Sequence, residues 1–179
     1  MNKKLKIVVI FIAVVAVIFG GLVVWRYLKT QRARKVDLAT FDFSRCFRGN
    51  PERNYHLFSG RPDFTDRLEY TLKDDKGNYL QDLLIFRHRN AKMEVLSELG
   101  DSRCQFVDCK IVILLKSFIG VRVKTKWDFR EEQGKTPYKT EYHVAIGNLL
   151  ISSTGNGYSW EESERNSRSA VECILGELY

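Results

Sequence analysis

Three histidines, four cysteines and one Gly-x-Gly-x-Ser turn are the residues of this chain whose types could do chemistry. His56, His88 and His143 stand far apart and make no H-x-x-x-H or H-E-x-x-H pair, so a helical zinc site has no ligand set. Cys46, Cys104, Cys109 and Cys173 are even in number, as disulfides require. Cys104 and Cys109 lack C-x-x-C spacing, and four scattered thiols suit a reducing compartment equally well. No G-x-S-x-G elbow is present to expose a nucleophilic serine. Glu69, Asp74, Asp75 and Asp82 could be drawn as magnesium ligands, but acids in turns are ordinarily solvated. The pattern points to no catalytic residue, no metal and no cofactor.

The turn is the more informative feature. Gly155-x-Gly157-x-Ser159 reads as a strand turning into a helix, an entrance where backbone N–H groups often bind phosphate. Trp160, Glu161, Glu162 and Glu164 follow at once and would repel it. Ser159 with Glu162 three residues on has the spacing of a capping box. Ser163, Ser167, Ala170 and Ile174 recur on one face as a small, sheet-facing stripe that Leu178 can extend.

The elements that must position this helix are legible upstream. Tyr138, Thr140, Tyr142, Val144 and Ile146 alternate as a strand, Gly147-Asn148 makes a tight turn, and "LLISST" returns. Val123, Thr125, Trp127 and Phe129 alternate before them. Ile111, Leu114, Leu115 and Phe118 lie at i, i+3, i+4 and i+7 and predict a core-facing helix, although the β-branched residues leave a strand reading open. Asn90 to Gly100 has a helix start and stop, with Val95 and Leu99 on one face. Around Asp74-Asp75-Lys76-Gly77-Asn78 a hairpin competes with two helices broken at Lys76-Gly77.

The N-terminus is of another kind. Ile7 to Trp25 is nineteen residues without a charge, enough for a helix to cross a hydrocarbon core. It is longer than a cleaved signal's apolar region and lacks an A-x-A ending, so an uncleaved anchor is expected. The chain carries +7, and residues 1–35 hold eight Lys/Arg and no acid. The basic excess therefore reports on this flank and does not imply nucleic acid. The expected organisation is α+β: a basic flank at 1–6, a transmembrane helix at 7–25 touching the bilayer, a linker at 26–40, an α+β region of unknown type at 41–107, and a domain at 108–178. The positive-inside bias leans slightly towards a cytosolic C-terminal domain of a single-pass membrane protein.

Four segments of residues 108–178 share one resemblance. "DCK" before an apolar run, "WDFREEQG", "YHVAI" and "GNGYSWEESE…AVECIL" resemble, in order, the motifs of the double-stranded RNA-binding domain, in the version at the C-terminus of ribonuclease III enzymes. The resemblance implies an αβββα domain, a three-stranded antiparallel sheet packed by two helices. It also implies three RNA-contacting regions, of which the polar face of the first helix has little polar surface in "CKIVILLKSF". The family's lysines at the last helix stand here as Trp160, Glu161 and Glu164, and its histidine loop is Gly134-Lys135-Thr136-Pro137. Phosphate contacts supply most of such affinity, and the helix dipole, worth on the order of 1 kcal/mol, does not replace them. The expected function is a membrane-anchored, non-catalytic module that binds a protein partner through Trp160, Glu161 and Glu164. The alternatives are residual RNA binding through Lys110, Lys135 and Lys139, and an extracytosolic, disulfide-containing anchored domain. "TDRLEY" at 65–70 is similar to a ribonuclease III catalytic segment, but too few residues follow for that catalytic domain.

Overall fold

The computed structural model describes residues 12, 14–21, 23–24, 36–58, 64–100, 108–114, 118–126 and 136–178. A short 3-10 turn, Ser44–Cys46, precedes three strands: β1 (Glu52–Leu57), β2 (Phe64–Lys73) and β3 (Tyr79–His88). Helix α1 (Ala91–Gly100) follows, then β4 (Asp108–Leu114), β5 (Phe118–Lys126), β6 (Tyr138–Ile146), β7 (Leu149–Gly157) and the closing helix α2 (Trp160–Leu178). The strands form one antiparallel sheet in the order β1-β2-β3-β7-β6-β5-β4. The join lies between β3 and β7, where Leu83 pairs with Ser153 and Ile85 with Ile151. Strands from both halves of the chain therefore share one hydrogen-bonded sheet.

Alternation divides the side chains between two faces. On one face Leu68, Tyr70, Leu83, Ile85, Tyr142, Val144, Ile146, Leu149 and Ile151 meet Val171, Ile174, Leu175 and Leu178 of α2. The segment before β1 completes this core with Leu38, Phe43, Cys46 and Phe47. Its backbone is held firmly. Arg53 donates to the carbonyls of Leu38, Ala39 and Phe41, and the buried Tyr70 hydroxyl accepts the Phe43 N–H at 2.8 Å while donating to Asp42. A disulfide joins Cys46 to Cys173 of α2, and Arg45 pairs with Glu177 beside it. On the opposite face Ala91 and Val95 of α1 cover Val121, Val123 and Leu150.

Several local expectations hold. The hairpin at Asp74–Asn78 is built by the Asp74 carboxylate, which accepts the N–H groups of Lys76 and Asn78, with Gly77 at φ 81°. Strands β6 and β7 and the turn at Gly147 (φ 60°) are as the alternation predicts. Ser163, Ser167, Ala170 and Ile174 are the buried stripe of α2.

Three expectations are corrected. The helix at Ile111–Phe118 is absent: Asp108–Leu114 is a strand whose Ile111 pairs with Val121 and Ile113 with Ile119 of β5. A short apolar run fits both periodicities, and three successive β-branched residues, Ile111, Val112 and Ile113, lose side-chain freedom in a helix and favour the strand. The αβββα domain fails with it, because β5, β6 and β7 are strands of a seven-stranded sheet that continues into β3. The single-pass membrane helix at 7–25 is also corrected: no helix among the described residues is long and apolar enough to cross a membrane. The membrane placement and the cytosolic orientation derived from it lose their basis. The remaining residues of 7–25, the flank at 1–6, and Trp127 and Phe129 lie outside the described residues.

Candidate interaction site

The entrance to α2 is set by close packing. Gly155 and Gly157 are the last glycines of β7 and have no left-handed backbone. A β-carbon at Gly155 would stand 2.5 Å from the Ser167 nitrogen and closer still to the Ser163 carbonyl oxygen. At Gly157 it would meet the Ser163 nitrogen at 2.8 Å. The glycines thus let the helix backbone lie on the strand, rather than supplying the turn between them. Thr140 and Ser163 share a buried hydroxyl–hydroxyl bond of 2.8 Å in the same narrow layer.

Two of the three acids at this entrance, Glu162 and Glu164, are consumed internally. The Ser159 hydroxyl accepts the Glu162 N–H at 3.1 Å, and the Glu162 carboxylate accepts the Tyr158 N–H at 2.7 Å. Together these satisfy donors that a phosphate would need. Glu164 turns inward onto the sheet, where its carboxylate takes Lys124 at 2.6 Å, the Tyr142 hydroxyl at 2.9 Å and Arg122 at 3.2 Å. Burial alone would raise its pKa, but hydrogen bonds from Lys124 and Tyr142 and the charges of Lys124 and Arg122 hold it below the ordinary value. Burial, followed by the Glu164 carboxylate, pushes Tyr142 up to about 12. Arg122 also reaches Asp108 at 3.4 Å, and with Lys110 on Asp108 three cations face two carboxylates here.

The structure therefore brings Trp160, Glu161 and Glu164 together, but not as an open surface. Trp160 packs edge-on against Tyr138 at 4.9 Å with Lys124 over its ring at 5.4 Å. Glu161 is exposed, its carboxyl lowered by its own backbone N–H and by Ser159. Lys110 pairs with Asp108 at 3.2 Å on the α2 face of the edge strand. Lys139 pairs with Glu141 at 3.0 Å on the other face of the sheet, and Lys135 lies outside the described residues. The structure does not bring Lys110 and Lys139 together.

The other chemical groups are dispersed as well. His56 is exposed on β1. His88 is buried and its Nδ1 accepts the Asn90 N–H at 3.0 Å. Among the described residues no three His, Cys, Asp or Glu side chains could hold a metal ion together. Asp82 is half-buried, raised by that burial. Cys109 is disulfide-bonded, as are Cys46 and Cys173, and no cysteine among the described residues is free.

The surface that sequence reasoning missed is the β4–β5 edge. Ile111 and Ile113 of β4 and Ile119 of β5 share the α1 face and are 61%, 70% and 66% exposed. Helix α1 packs over β5, β6 and β7. Contiguous exposed apolar patches, where they are large, mark interaction sites. The opposite edge strand, β1, exposes Leu57 at 75% beside Glu52, Arg53 and His56. The signal was available in the string "KIVIL", where charge stops at Lys110. The chain matches no family model, no curated protein and no solved structure.

Proposed function

We propose that this chain is a non-catalytic protein-interaction module, clamped by disulfides and docking its partner on the β4–β5 edge. The observation that supports this reading most is the group of exposed isoleucines on one face of β4 and β5. β4 presents Ile111 and Ile113 to solvent next to Ile119 of β5. Burying each such side chain yields about 1.5–3 kcal/mol, and an edge strand adds backbone hydrogen bonds to whatever extended segment pairs with it. The disulfide bonds at Cys46, Cys173 and Cys109 favour work in an oxidising compartment, where such bonds persist.

The test is native electrophoresis of extracts from cells making the intact chain. The wild-type chain migrates in a complex larger than itself, and the Ile111→Lys, Ile113→Lys double variant migrates as the free chain. Both positions are solvent-exposed, so folding is preserved to within about 0.5 kcal/mol per site. A double variant that keeps the wild-type complex removes the edge from the account.

A further inference from the structure

We draw no further inference here: the strongest candidate, the exposed apolar patch of Ile111, Ile113 and Ile119 on one face of β4 and β5, belongs to the site already described, and nothing in the structure shows what covers it.

Discussion

Gly155 of β7 lies directly under Ser163 and Ser167 of α2, so that a β-carbon added to the glycine would collide with the backbone of the helix. This contact sets the spacing of the layer that holds Glu164 over Arg122, Lys124 and Tyr142. Backbone cannot move aside as a side-chain tip can. Gly155→Ala is expected to lift the start of α2 and cost about 3 kcal/mol, the upper range for an overpacked core. Urea unfolding followed by circular dichroism measures it, and a cost below about 0.5 kcal/mol would refute the close approach.

The Cys46–Cys173 bond closes 127 residues of chain between its ends. By loop-entropy reasoning its removal destabilises by as much as about 5 kcal/mol, and by less where the unfolded chain retains structure. The Cys46→Ser, Cys173→Ser double variant should therefore lower the urea midpoint strongly. Digestion of the untreated protein without reductant should recover the two cysteines in one linked peptide pair.

Tyr142 gives the fold an alkaline limit. Its ordinary pKa is 10.0 and the fold raises it to about 12, so the folded state holds the proton more tightly than the unfolded one. The corresponding stability is complete below pH 10 and is lost as pH rises towards 12, about 3 kcal/mol in all. Tyr142→Phe should flatten that part of the stability profile. Glu164 acts at the other end: its depressed pKa contributes stability above about 4.5 that is lost as pH falls. Glu164→Gln should reduce acid sensitivity while lowering stability at neutral pH.

Arg87 donates to the buried Asp66 carboxylate at 2.9 Å and to the Val36 carbonyl at 2.5 Å. It ties the segment before β1 to the β2–β3 hairpin. Arg87→Met leaves Asp66 buried without its cation, and a loss of about 3 kcal/mol is expected. Thermal unfolding of the variant reads it directly.

What was legible in the sequence was local. The alternation from Tyr138 to Ile146, the Gly147-Asn148 turn, the Ser159 cap and the stripe from Ser163 to Ile174 specify β6, β7 and α2 without outside help. The β4 strand was misread because Ile111, Leu114, Leu115 and Phe118 satisfy a helical spacing by accident of a dense apolar run. Its true setting depends on pairing with β5, which no spacing within the run reveals. The join of β3 to β7 is a contact between residues about seventy positions apart, and nothing in either strand announces its partner. At the candidate site, Trp160, Glu161 and Glu164 were legible as neighbours on one helix. That Glu164 is spent on Arg122 and Lys124 was not, since the cations come from β5, some forty residues earlier. The exposed isoleucines were hidden by the same error, because a helix would have buried Ile111.

Site-specific photocrosslinking of the intact chain in its own compartment tests the central claim most directly. A photoreactive residue at position 113 of β4 should give a covalent adduct, and the same residue at position 56 of β1 should give none. Adducts at 56 but not at 113, or at neither position, would contradict docking on the β4 edge.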